Sequence, residues 1–142
     1  EAFVYIPPGV KIEDEVFIAP GVLIANEKYP TGIFSIERIK ELAETAQKRL
    51  EELNFKIKIK VGDGTLGWEE FSPFDKIIVT AGAKIIPPPL LSQLKEGGRL
   101  VIPVGEISQA LVLVKRGKNG QFSEERYPGF VFVPLRGKYG FK

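Results

Sequence analysis

One stretch constrains the fold more than any other: GIFSIERIKELAETAQKRLEELNFKIKIKVGDG, residues 32–64. It opens on the apolar run GIFSIE, which reads as a buried strand. It continues into residues 38–53, where Ile39, Leu42, Ala43, Ala46, Leu50 and Leu53 share one helical face. FKIKIKV then alternates apolar and basic residues, as a strand with one solvated face does, and GDG closes it with a turn. Two parallel strands need a crossover, usually a helix, so strand, amphipathic helix, strand is the signature of a parallel pair.

The later chain extends that alternation. FDKIIVT predicts a third strand, PPPLLSQLKEGG a helix with Pro at its start and Gly at its end, and RLVIPV a fourth strand. QALVLVKRGKNGQFSEERYPGFVFVPL reads as a hairpin turned at Asn119 and Gly120. The expected fold class is therefore α/β, with a mostly parallel sheet and a C-terminal antiparallel hairpin at its edge.

Before Gly32 the period is different. Ile6, Ile12, Ile18 and Ile24 recur every six residues, and Val10, Val16 and Val22 keep the same step, giving IPPGVK, IEDEVF, IAPGVL, IAN. An inward aliphatic every sixth residue suits a triangular parallel β-helix; chance recurrence, or two plain strands with Pro-Gly turns, is the alternative. Over about residues 4–30 these units resemble the hexapeptide repeats of left-handed β-helix acyltransferases, and NEKYP at residues 26–30 resembles the loop that follows them in sugar-modifying members. Three units make about one coil, which cannot bury its faces without neighbours. The expected division is a short β segment at 1–31 and an α/β domain at 32–142.

Composition limits the chemistry. The 142 residues contain no Cys and no His, which excludes disulfides, zinc-thiolate sites, cysteine nucleophiles and an imidazole base. The hexapeptide acyltransferases use a histidine base, so that activity is not expected, and no metal site is expected either. Lys plus Arg number 20 against 18 for Asp plus Glu, with the signs interspersed, so no basic stripe invites nucleic acid. No apolar run reaches the 18 residues of a membrane span, and no signal peptide is visible, which makes a cytoplasmic location the expectation. The lack of Cys and Met beside abundant Lys and Glu matches heat-adapted composition. A chain without Met is expected to be a fragment or a processed product.

Ligands of wound α/β sheets bind at the carboxyl ends of the strands. Glu37 ends the first such strand, where a carboxylate can accept from both hydroxyls of a ribose; the alternative is a helix N-terminal acid favoured by the macrodipole. Asp63 ends the next strand and could accept an adenine amino group, with Gly64 leaving room for the ring; alternatively Gly-Asp-Gly is simply a turn. Thr80, Ala81 and Gly82 end the third strand and would line the same crevice, or merely pack between strand and loop.

FSIERIKELAETAQKRLEELNF, VGDGTLGWEEFSPFDKIIVTAGA, IPPPLLSQLKEGGRLVIPVG and FVFVPLRG, in that order, resemble the later two-thirds of the protein-L-isoaspartate O-methyltransferases, over about residues 32–140. The resemblance implies a Rossmann-like fold of the S-adenosylmethionine-dependent methyltransferases, here incomplete. It also implies S-adenosylmethionine as cofactor and isoaspartyl peptides or proteins as substrates. The family's ribose-holding acid carries over to Glu37 and its adenine contacts to Asp63 and Gly64, with Thr80 and Gly82 beside them; no catalytic residue carries over.

Before the SIE strand, family members have a substrate-binding region with a catalytic-loop serine, then a central strand and a glycine-rich turn that cradles the methionine part of the cofactor. Residues 1–31 carry the hexapeptide pattern instead. The chain is accordingly expected to be inactive in methyl transfer, or to be a recombined or engineered fold with a structural role only; a fragment of a sugar acyltransferase is the remaining alternative. The sheet is expected to have a gap at its centre, filled in cis by VFIAPGVLIA, residues 16–25, or in trans by a second copy in a homo-oligomer.

Overall fold

A computed structural model describes residues 22–25, 33–55 and 57–142. Seven strands form one mixed sheet: β1 (Val22–Ala25), β2 (Ile33–Glu37), β3 (Ile57–Val61), β4 (Phe74–Val79), β5 (Leu94–Val104), β6 (Gln109–Arg116) and β7 (Phe122–Phe130), in the order β3-β2-β1-β4-β5-β6-β7. The pairs β2–β3 and β4–β5 are parallel, and β5, β6 and β7 run antiparallel to one another in turn. The expected α/β sheet with a terminal hairpin is present, and it is mixed where a mostly parallel one was expected, because β1 runs against both of its neighbours.

The central position is occupied in cis. β1 lies between β2 and β4 and is antiparallel to both, with Leu23 opposite Ser35 on one side and Ile78 on the other. Of the segment expected to fill the gap, Val22–Ala25 is this strand; the rest of residues 1–31, and with it the β-helix coil, lies outside the described residues.

Helix α1 (Lys40–Glu52) crosses from β2 to β3 as the pattern requires. Its end is a Schellman motif: Asn54 adopts φ 59°, its N–H reaches Glu51 O at 3.0 Å, and Phe55 N–H reaches Leu50 O at 2.9 Å. Asn is one of the few residues that enters that left-handed conformation readily, which is why the helix stops there. Only Ala43 and Leu50 of the apolar stripe are buried; Ile39, Leu42 and Leu53 remain exposed. α1 rests on two strands at the sheet's edge, so part of a stripe drawn for a broader surface has no strand beneath it.

The main core gathers Phe34 and Ile36 of β2, Phe74, Ile77 and Val79 of β4, Leu100 and Ile102 of β5 and Val112 and Val114 of β6 under Leu90 and Leu135. Phe34 also anchors an aromatic group, stacking on Phe71 at 4.5 Å and meeting Trp68 edge-on at 5.6 Å.

Two elements differ from the sequence reading. The helix over PPPLLSQLKEGG is a five-residue α2 (Pro88–Ser92), and LKEGG belongs to β5. Burial draws the chain into the sheet there: Leu94 is fully buried, and its pairing with Phe74 outweighs the helical pattern. The hairpin loop closes by Gly117 N–H to Gln121 O at 2.8 Å, leaving Lys118, Asn119 and Gly120 between, with Gly120 at φ 76°. It is thus a three-residue loop whose last position needs Gly, and not the tighter two-residue turn that Asn-Gly favours.

Candidate functional site

The parallel register of β2 and β3 decides where the two acids sit. Glu37 pairs with Val61, and Gly62 N–H donates to Glu37 O at 2.9 Å, so the chain passes from the end of β3 into Gly62 and Asp63 directly beside Glu37. The carboxyl ends of β2 and β3, bearing Glu37 and Asp63, therefore form one edge. Across β1, β4 ends at Val79, and Thr80 follows it at the same edge.

Glu37 folds back on the start of its helix. Its Oε1 accepts from Ile39 N–H at 2.8 Å, satisfying one of the donors that a helix N-terminus leaves unpaired. The helix-start role that was the alternative for this residue is present in part, and the carboxylate has a fixed orientation with acceptor capacity left.

Asp63 is more heavily engaged. Its Oδ1 accepts from Thr65 N–H at 2.9 Å and from the Thr65 hydroxyl at 2.7 Å, and its Oδ2 accepts from Lys138 N–H at 2.7 Å. The first bond starts the one-turn 3-10 helix Gly64–Leu66. Partial burial pushes the Asp63 carboxyl up, but the bonds from Lys138 N–H, the Thr65 hydroxyl and Thr65 N–H, with the nearby Arg38 cation, outweigh it and hold the group below the ordinary carboxylate value. Asp63 is therefore ionised at neutral pH.

Thr65 is fully buried, and its hydroxyl oxygen accepts from Tyr139 N–H at 3.2 Å. Asp63 and Thr65 thus tie the C-terminal segment, 75 residues further on, to the end of β3. Gly137 lies so close that a Cβ there would stand 2.0 Å from Asp63 Oδ1. Gly64 is buried beside this clasp.

Gly82 lies on a different part of the edge. Its N–H donates to Val133 O at 2.8 Å and its O accepts from Leu135 N–H at 2.7 Å, so both backbone groups bind the C-terminal segment. A Cβ at Gly82 would meet the Gln109 amide nitrogen at 2.8 Å, and Gln109 in turn accepts from Phe132 N–H at 2.6 Å. Close packing is the reason for Gly at this position.

Two buried polar residues that sequence reading missed hold this edge together. Gln93 accepts from Trp68 N–H at 2.8 Å and donates to Leu66 O at 2.9 Å, fixing the loop after Asp63 against α2; Gln109, packed against Gly82, holds Phe132 N–H. The Asp-x-Thr spacing was a visible signal for the Asp63–Thr65 turn. No local signal joins Thr65 to Tyr139.

The polarity of β1 decides which of its ends meets this edge. β1 presents its amino end, Val22, to the carboxyl ends of β2 and β4, opposite Ile36 and Val79, and its carboxyl end, Ala25, to the far side of the sheet. A central strand leading into a helix at this edge would have to run the other way. Among the described residues no group of three or more acidic side chains is placed to hold a metal ion, and no helix is long and apolar enough to cross a membrane.

Comparison with known proteins gives a consistent result. The family model described as Protein-L-isoaspartate(D-aspartate) O-methyltransferase matches residues 22–140, beginning where β1 begins. The chain is 52% identical over 111 residues to a protein-L-isoaspartate O-methyltransferase of Dictyoglomus turgidum, covering 78% of this chain and 50% of that protein. It is 50% identical over 115 residues to one of Methanothrix thermoacetophila, covering 80% and 54%. It spans about half the length of these relatives. Among solved structures, a protein-L-isoaspartate O-methyltransferase superposes with TM-score 0.68 at 32% identity, covering 75% of this chain and 35% of that one. A Plasmodium falciparum beta-aspartate methyltransferase structure containing S-adenosyl-L-homocysteine superposes with TM-score 0.64 at 29% identity, covering 72% and 51%.

Proposed function

The chain belongs to the protein-L-isoaspartate O-methyltransferase family, and we propose that its sheet edge keeps the nucleoside half of an S-adenosylmethionine site without the half that positions the methyl group. One observation carries the proposal: two carboxylates end adjacent parallel strands in fixed register, Glu37 beside Val61 and Gly62, with Asp63 next in the chain. In this reading Glu37 accepts from the ribose hydroxyls, Asp63 accepts from the adenine amino group beside Gly64, and Thr80 and Gly82 belong to the wall across β1.

On this proposal, methyl transfer to an isoaspartyl carboxylate of a protein or peptide is the activity of origin and is lost in this chain. Such a transfer needs little acid or base help if donor and acceptor are held in line, so its rate comes from positioning. The antiparallel β1 directs no central strand-to-helix turn toward the carboxyl edge, and that turn is what would hold the methionine part of the cofactor. The proposed division is a β segment with the hexapeptide pattern over residues 1–31 and a partial methyltransferase domain over residues 32–142, with β1, at which the family match begins, shared between them, in a cytoplasmic protein. With the central position filled in cis, a homo-oligomer built by strand exchange has less to support it.

A purely structural role for a recombined fold is the competing reading, favoured by the strand polarity at the centre of the sheet. Calorimetric titration with S-adenosylhomocysteine separates the two, because that ligand needs the nucleoside half. Micromolar binding is expected, weakened about tenfold in Glu37→Gln, since the amide keeps the acceptor for Ile39 N–H and loses one ribose acceptor. The melting temperature should not move. No binding by the parent chain, or equal binding by Glu37→Gln, refutes the nucleoside reading.

A further inference from the structure

We propose that Thr65, held by the backbone of Tyr139, is a positioning residue that leaves Asp63 a single acceptor direction, on Oδ2, and so makes the site selective for a purine carrying an exocyclic amino group. The inference rests on the nucleoside reading and adds to it the determinant of base selectivity.

A carboxylate has about four acceptor directions. Both on Oδ1 are filled by Thr65, through its N–H and its hydroxyl, and one on Oδ2 is filled by Lys138 N–H. One direction remains. The hydroxyl could in principle turn away, but Tyr139 N–H can only donate, so it occupies a lone pair of the Thr65 oxygen and sends the hydroxyl proton toward Asp63. Thr65 is fully buried, so no water competes for that proton. Gly137 lies against the whole carboxylate, nearer Oδ1, for a Cβ there would be 2.0 Å from Oδ1 and 2.7 Å from Oδ2.

An ionised carboxylate accepts and cannot donate, and here one direction is open to a base. An adenine amino group satisfies Oδ2, whereas the keto oxygen of hypoxanthine would set acceptor against acceptor. Without the Thr65 hydroxyl an Oδ1 direction opens, the carboxylate can turn, and a water can bridge to the keto base.

The test is calorimetric titration of the full chain with S-adenosylhomocysteine and S-inosylhomocysteine, comparing the parent with Thr65→Val and Thr65→Ser. The parent should prefer the adenosyl compound at least about tenfold, as sites built around a hydrogen bond discriminate strongly. Thr65→Val, which keeps the shape and loses the hydroxyl, should reduce that ratio several-fold, and Thr65→Ser should restore it. Equal weakening of both ligands in Thr65→Val, with the parent ratio intact, overturns the positioning role and assigns Thr65 to stability alone. Loss of selectivity in Thr65→Ser, which retains the hydroxyl, also overturns it. Failure of the parent to bind either compound refutes the nucleoside reading itself, and the selectivity proposal with it.

Discussion

Replacing Asp63 by Asn removes one charge and almost no volume, which makes it a clean probe of the clasp between the end of β3 and the C-terminal segment. An amide has one acceptor oxygen. If that oxygen stays with the two Thr65 donors, the amide NH2 faces Lys138 N–H, donor against donor, and the bond now 2.7 Å long is lost. A hydrogen bond to a charged group contributes roughly 1.5–3 kcal/mol. Lys138 is exposed and water can take over its N–H, so the lower end applies, about 1.5 kcal/mol. With a urea dependence of about 1–3 kcal/mol per molar, the unfolding midpoint at pH 7 should fall by roughly 0.5–1.5 M.

The pH dependence has a definite sign. Asp63 is held below its ordinary value, so its contribution is complete above the unfolded carboxyl pKa of about 3.9 and disappears as pH falls through the lower, folded value. Parent and Asp63→Asn should therefore differ by a constant amount from pH 7 down to about pH 5 and converge below about pH 4. Coincident urea curves at pH 7, or a gap that survives undiminished at the acid end, would refute the clasp.

Two further substitutions examine the scaffold around the site. Leu23→Pro removes a backbone donor in the middle of β1, where both edges are paired; a cost of about 3 kcal/mol or more and loss of cooperative unfolding are expected in a thermal melt, and a parent-like melt would show that β1 does not hold the sheet together. Gly67→Ala places a Cβ 2.1 Å from Gln93 Oε1 at a position with φ 64°, so a loss of about 1–3 kcal/mol is expected by urea denaturation. Faster hydrogen exchange at Trp68 N–H should accompany it, because the displaced Gln93 is the acceptor for that amide; an unchanged rate would mean that Gln93 is not the latch.

Several parts of this fold could be read from local pattern because local physics decides them. The αβ crossover of β2, α1 and β3 follows from the change between a period of two and a period of 3.6, and the C-terminal hairpin follows from the Gly-containing turn after the apolar strand β6, since β7 itself, FSEERYPGF, is polar and exposed. The same register that makes β2 and β3 parallel brings Glu37 and Asp63 together. α2 was overestimated because a proline start and a downstream glycine pair fit a helix locally, whereas burial of Leu94 beside Phe74 favours the sheet. The exposed half of the α1 stripe could not be foreseen, since periodicity reports which face is apolar and not how much surface lies beneath it.

What the sequence determined by itself was the crossover of β2, α1 and β3, the acidic ends of two strands, and the absence of imidazole and thiol chemistry, all of which depend on residue type and short spacing. Tertiary structure alone decided the direction of β1, because an apolar tetrapeptide such as Val22–Ala25 can pair either way and only the two waiting edges of β2 and β4 select one. It alone decided the surroundings of Asp63, since bonds from Lys138 and Tyr139 join residues about 75 positions apart and leave no trace in local pattern. Spacing shows where a carboxylate can sit, but the number of its acceptor directions still open depends on chain segments that only folding brings to it.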